Sequence, residues 1–460
     1  MLLIIKNADT IYNPLASGRC SLKKTLKVTD IIALGFMTFA FFLGAGNIIF
    51  PPLAGQLAGE NMLSAMSGFL VTAVGLPLIG IIAVAIAGGG WTGLTRDLPS
   101  KVATLMAVLI FIIIGPAFAA PRTGLVAYEM AIKPFITDAS QTSLTIFSIL
   151  FFAVALFFAW SRGKLIDMIG KFLTPALFVV LTVLAIAVFI NPQGSIIAAQ
   201  GEYITQPFTT GFLEGYNTMD TFAALMFGML IVDVIRSKGV TDEKTTCTYL
   251  IYAGLIAAAG LAFVYVSLFY LGATSAGIAA GVGNGGAILT TYVMALFGPT
   301  GQIILSTIVL LACLTTAIGL ISACADYFST LTPLSYKKWA VVLAIVCAVV
   351  ANVGLNMLIT LSIPVLFALY PVAIALVALT LIRKWLPNPR LAYRVVLLVS
   401  FIFSMIDVAK YLKIDVSVFS ALPLFNYGMA WVLPTVVALI VTRFVGKDKQ
   451  NGDDNHTIVI

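Results

Sequence analysis

The residues best suited to chemistry in this chain sit where apolar runs are interrupted. From Ala40 to Pro52 the sequence reads AFFLGAGNIIFPP. Glycine loses the most entropy in a helix, and proline cannot donate a backbone hydrogen bond. Gly44, Ala45, Gly46 and Asn47, followed by Pro51 and Pro52, therefore predict a helix that opens near its middle. In hydrocarbon an unmatched N–H or C=O costs several kcal/mol, so open backbone persists only where it lines a site or cavity. Freed amides suit an anion and freed carbonyls suit a cation. Two readings stay open from these residues alone: a kinked packing helix, or a binding site.

Other polar positions fall inside apolar runs. Ala312-Cys313-Leu314-Thr315-Thr316 carries two hydroxyls on adjacent sectors of one helix. Hydroxyl and carbonyl oxygens are ligands for a hard monovalent cation, although threonine in a membrane helix also bonds its own i−4 carbonyl. GYNTMDTFAALMFG at 215–228 contains Thr218, Asp220 and Thr221. An acidic group within a membrane span is costly and marks a functional or a structural bond. GPAFAAPRT at 115–123 implies a bend and places Arg122 where it must avoid lipid. Arg122 is expected to pair with Glu129 or Glu214, and Asp220 to meet a cationic group or a lining hydroxyl.

These positions need a membrane scaffold. The 460 residues are 60% hydrophobic and 10% charged, against about 25% charged in an ordinary soluble domain. A spanning helix takes about 20 apolar residues. The expected architecture is all-α, with twelve spans near 29–54, 62–88, 101–131, 142–160, 165–190, 209–235, 245–272, 299–325, 337–354, 358–382, 391–409 and 426–445. Basic residues alternate accordingly. Lys23, Lys24 and Lys27 precede span 1, and Arg96, Lys101, Arg162, Lys164, Arg236, Lys238, Lys337, Lys338, Arg383 and Lys384 fall in every second loop. By the positive-inside rule both termini are cytoplasmic. Segment 273–298 is rich in small residues, and Ala287–Phe297 is expected to form a short helix over the outer face or to remain a structureless loop.

The net charge of +7 is spread singly over loops, which reads as topology rather than nucleic-acid binding. The five cysteines have no metal or CxxC spacing, and the single histidine, His456, lies in a polar tail. Leu2–Ile5 is too short for a signal-peptide core. No nucleotide-binding loop, aspartate-rich diphosphate motif or HExxH is present. An enzyme is not expected, nor is an organic cofactor; any coupling must come from an ion gradient.

GFMTFAFFLGAGNIIFPP at 35–52, GPAFAAPRT at 115–123 and GYNTMDTFAALMFG at 215–228 resemble the bacterial branched-chain amino acid:cation symporters, the BrnQ family. The likeness runs from Lys23 to about Arg443. It implies uptake of leucine, isoleucine and valine across the bacterial inner membrane with Na⁺, or H⁺ in some members. It also implies the LeuT-type inverted repeat, with spans 1–5 (29–190) and 6–10 (209–382) as the halves and spans 1 and 6 broken. Residues 191–208 link the halves, 383–445 hold two peripheral spans, and 1–28 and 446–460 are tails. Similarity to LeuT-type transporters assigns the substrate carboxylate to the Gly44 and Gly46 amides. It assigns sodium to the carbonyls of Ala40, Leu43 and Ala312 and the hydroxyls of Thr315 and Thr316. Thr218, Asp220 and Thr221 are site candidates by position alone. The expected apolar pocket holds Phe118, Phe222, Met226 and Phe227. Span 5 beyond Lys171 lacks the lysine that proton-coupled relatives can place there, which favours Na⁺. An H⁺-coupled symporter and a transport-inactive sensor remain as alternatives, and a monomer or weak oligomer is expected.

Overall fold

The computed structural model describes residues 25–137, 139–160 and 174–445. Expectations for most of the N-terminal tail, the Arg162–Lys164 loop, the start of span 5 with Lys171, and the C-terminal tail with His456 lie outside these residues. Among the described residues the chain is helical throughout, with no strand. Every apolar stretch named above carries helix. By length and composition eight helices or helix runs can cross a membrane, or nine if the bent pair Pro207–Thr218 and Asp220–Ser237 is one span. Three shorter apolar helices accompany them: Val28–Phe42, Thr174–Ile190 and Val432–Phe444.

Span 1 is two helices, Val28–Phe42 and Ala45–Ala58, joined by Leu43 and Gly44. Pro51 and Pro52 lie inside the second helix rather than ending it. Span 6 breaks at Met219, a left-handed residue (φ 62°, ψ 14°), and its two pieces bend by 41°. A left-handed conformation is unusual for a long side chain and needs outside support. Span 3 yields at its prolines: Gly115 has non-helical angles (φ −80°, ψ −116°) and helix restarts at Ala119. The expected short helix before span 8 is present, since Gly285–Leu331 runs as one helix sharply turned at Gly298 (φ 64°).

Ion pairs join segments that the basic-loop pattern assigned to one side. Lys238 Nζ lies 3.2 Å from Asp30, linking the end of span 6 to the start of span 1. Arg383 Nε lies 2.6 Å from Asp97, linking span 10 to the loop after span 2. At the opposite face the connections hold one another. Gln56 Nε2 donates to Ser275 Oγ (2.8 Å) and to the Ala279 carbonyl (3.0 Å). The Glu60 amide donates to the Ile197 carbonyl (2.9 Å), and Asn61 Nδ2 to the Tyr203 carbonyl (2.9 Å).

The second half of span 1 packs backbone to backbone against span 7 and the 285–297 helix. A methyl group at Gly55 would sit 2.1 Å from the Phe269 carbonyl oxygen, one at Gly272 2.0 Å from that of Pro52, and one at Gly285 1.8 Å from that of Ile49. Only glycine permits this approach on both faces of the helix. Gly272→Val should therefore lower stability by at least ~1–3 kcal/mol, the usual cost of overpacking. Thermal melting in detergent checks it, with Gly283→Val, where nothing lies within 4 Å, expected to melt like the unaltered protein.

Candidate functional site

The i→i+4 ladder of span 1 stops at the Leu43 N–H, which donates to the Phe39 carbonyl (2.8 Å). Beyond it, the carbonyls of Ala40, Phe41 and Leu43 receive no helical donor, and the amides of Ala45, Gly46 and Asn47 find no helical acceptor. The Gly44 amide, by contrast, is occupied twice. It donates to the Phe42 carbonyl (2.6 Å) and to Asn47 Oδ1 (3.2 Å). The amides left open are thus those of Ala45, Gly46 and Asn47, one position later than the Gly44 and Gly46 pair suggested by resemblance. They head a helix of 14 residues, whose terminus carries partial positive charge.

Asn47 ties this break to that of span 6. Its Nδ2 donates to Asp220 Oδ2 (2.7 Å) and to the Tyr265 hydroxyl, which itself donates to Asp220 Oδ2 (2.9 Å). Asp220 therefore meets a lining hydroxyl and an amide. The Asp220 N–H reaches Thr218 Oγ1 (3.4 Å), whose own hydrogen goes to the Gly215 carbonyl (2.9 Å). The Thr221 amide donates to the Tyr370 hydroxyl of span 10 (3.2 Å). Tyr370 stacks on Tyr216 at 4.1 Å and meets Phe222 edge-on at 4.8 Å. These contacts support Met219 in its left-handed conformation.

Between the two breaks lies a cavity of about 40 Å³. Gly44, Ala45, Gly46, Asn47, Thr218 and Asp220 line it, joined by Arg122, Thr123 and Thr316. Its apolar wall is Phe41, Phe42, Ile114, Ala223, Phe227 and Leu320, with Phe41 stacked on Phe227 at 5.0 Å. Of the expected apolar set only Phe227 lines this cavity. Phe222 packs on Tyr370, Met226 is buried away from the cavity, and Phe118 is part-buried at the bend of span 3. Helical phase explains this. At about 100° per residue, Ala223 and Phe227 share the face of Asp220, whereas positions 222 and 226 point to the other side. Thr221 likewise turns toward span 10.

The two threonines of span 8 separate. Thr315, Ala312 and Ala40 border a second cavity of about 90 Å³, with Thr174 and Leu177 of span 5. Thr315 Oγ1 donates to the Ala312 carbonyl (2.9 Å). Thr316 faces Gly44, where an added methyl would lie 3.2 Å from Thr316 Cγ2. The Thr316 hydroxyl is buried without a hydrogen-bond partner. Leu43 is fully buried and lines neither cavity.

Arg122 does not pair with Glu129 or Glu214. Glu129 binds Lys133 (2.9 Å), and Glu214 accepts from Asn217 Nδ2 (2.9 Å). The guanidinium donates instead to the Asn217 carbonyl (2.6 Å) and Ser362 Oγ (3.1 Å). The bend of span 3 carries it to the broken backbone of span 6, where a carbonyl is spare. Tyr265, Tyr370 and Phe41 were not singled out from sequence. A tyrosine within an apolar run needs a partner for its hydroxyl, and that was the available signal for the first two.

Two discontinuous helices sharing a polar cavity inside an apolar bundle define a membrane carrier of the LeuT architectural class. Solved structures agree in fold. MhsT, in complex with L-phenylalanine, superposes with a TM-score of 0.58 at 18% identity, covering 89% of this chain and 98% of that one. A Na⁺-coupled sialic acid symporter gives 0.57 at 14% identity, covering 90% of each. A sequence profile described as "Branched-chain amino acid transport protein" matches residues 27–449, and the chain belongs to that family. It is 46% identical to the branched-chain amino acid transport system 2 carrier protein of Pseudomonas aeruginosa over 92% of this chain and 99% of the relative. It is 42% identical to the permease BraB of Bacillus subtilis (93% and 99%) and to BrnQ of Escherichia coli K12 (90% and 95%). The protein is thus a multi-pass membrane transporter rather than an enzyme.

Asn47→Ala removes three hydrogen bonds among buried groups and leaves the Gly44 amide with the Phe42 carbonyl alone. Hydrogen bonds involving a charged partner contribute ~1.5–3 kcal/mol each, so the variant should melt clearly below the unaltered protein in detergent. Equal melting temperatures would mean the two breaks are held by something else.

Proposed function

We propose that this protein takes up leucine, isoleucine and valine by alternating access, driven by Na⁺, across the bacterial inner membrane with both termini cytoplasmic. The carrying observation is that the open main-chain groups of span 1 face Asp220 and Thr218 of span 6 across one cavity. The zwitterion's carboxylate sits at the amides of Ala45, Gly46 and Asn47. Its ammonium sits toward Asp220 and Thr218. The aliphatic side chain lies against Phe41, Phe42, Ile114 and Phe227. Burying such a side chain gains ~1.5–3 kcal/mol, and one methylene shifts discrimination by only ~1–3 kcal/mol. The three branched-chain substrates therefore share the site.

The Ala40 and Leu43 carbonyls, lacking helical donors, and the span 8 threonines supply oxygens for Na⁺. Thr315 and Ala40 border the same cavity, and the unsatisfied Thr316 hydroxyl faces Gly44. These positions support a cation between spans 1 and 8, where it neutralises the negative end of the Val28–Phe42 helix. Spans 1–5 and 6–10 act as the two repeats, spans 11 and 12 are peripheral, and the protein works as a monomer or weak oligomer.

Proteoliposomes with imposed gradients test the reading. Labelled leucine should accumulate under an inward Na⁺ gradient and not under a pH gradient alone. Accumulation under the pH gradient alone would transfer the coupling to a proton, for which buried Asp220 is the available carboxylate. No accumulation under either would leave a sensor. Thr315→Ala should raise the Na⁺ concentration needed for half-maximal uptake without changing the amount of protein recovered. An unchanged Na⁺ dependence rejects Thr315 as a ligand.

A further inference from the structure

Arg122 is the one strongly basic side chain among the cavity-lining residues, and it is only 2% exposed. Among the described residues no carboxylate pairs with it. Its two expected acidic partners are engaged elsewhere. A guanidinium carries five N–H donors. Two reach protein oxygens, the Asn217 carbonyl and Ser362 Oγ, and Nε has no partner. The Phe50 ring supports the group from one face at 5.2 Å.

The surroundings add positive potential. A methyl group built on Gly46 would lie 3.4 Å from Arg122 Nη1, so the guanidinium stands beside Gly46 and shares the cavity lining with the residues whose amides are open. A buried charge is costly unless paired, and more so beside a helix N-terminus. An anion between the two relieves both. Asp220 lines the same cavity.

Resting on the transport reading above, we propose that Arg122 binds the substrate carboxylate together with the span 1 amides. Asp220 faces the ammonium. The cavity is then a two-charge clamp for α-amino acid zwitterions, and it rejects amines and amides that lack the carboxylate. An Arg122 that merely braced span 6 against span 10 would serve all such ligands alike.

Competition against labelled leucine separates these roles. In the unaltered protein leucine should compete far better than leucinamide. In Arg122→Gln the ratio of the two affinities should fall by roughly 10-fold to 100-fold, the range expected for losing a charged hydrogen bond, with Arg122→Lys between. An unchanged ratio, with both ligands weakened together, overturns the proposal while leaving leucine transport standing. If the unaltered protein takes up no leucine, the transport reading itself has failed. A second measurement needs no variant. Solid-state NMR recoupling between carboxyl-¹³C leucine and guanidino-¹⁵N arginine should report direct contact in the unaltered protein bound to leucine. Absence of that contact overturns the proposal even if Arg122→Gln cannot be purified.

Discussion

The structure depends on one polar junction, the Asn47 amide held between the Gly44 backbone and the Asp220 carboxylate. Each end of that junction lies at a helix break, where main-chain groups have lost their ladder partners. In an apolar bundle neither break is tolerable alone. Joined through Asn47, Asp220 and Tyr265, they leave a defined remainder: three amides on one side, and carbonyls and hydroxyls on the other. The same glycine-rich link that creates it is tight where Thr316 and the Asn217 carbonyl approach, and a side chain there would require them to shift by a few tenths of an ångström.

Around the junction the bundle supplies compensation in layers. Tyr370 reaches from span 10 to take the Thr221 amide, two residues beyond Met219, and covers the Tyr216 ring. Arg122 reaches from the bend of span 3 to cap the Asn217 carbonyl. Broken backbone in one helix is thus answered by side chains reaching in from other helices. Asn47, Asp220, Tyr265 and Thr218 form one connected set at the junction, the arrangement in which buried polar atoms cost least.

Much of the fold was legible because its signals are local. Apolar length marked the helices, and alternating basic loops assigned sides that the Asp30–Lys238 and Asp97–Arg383 pairs respect. Glycines and prolines marked the opening of span 1 and the bend of span 3. The break at Met219 has no such marker. Neither glycine nor proline occupies position 219, and the left-handed turn is imposed by Asn47, Tyr265 and Tyr370 from remote parts of the chain. Within the site, the phase of span 6 around Asp220 would have favoured Ala223 and Phe227 over Phe222 and Met226. The partner of Arg122 was misread for a different reason. Charge pairing is visible in a sequence, whereas a spare carbonyl exists only once a distant helix has broken.

The glycine seam along Gly55, Gly272 and Gly285 has a mechanical consequence. Helices touching backbone to backbone cannot slide past one another without collision, so the second half of span 1 travels as a plank with the end of span 7 and the 285–297 helix. The first half meets span 7 through side chains instead, Ile256 against Gly35 and Phe39 against Gly260. Any tilt of one half against the other passes through Leu43 and Gly44, so Gly44 is at once a joint of the chain and part of the cavity wall.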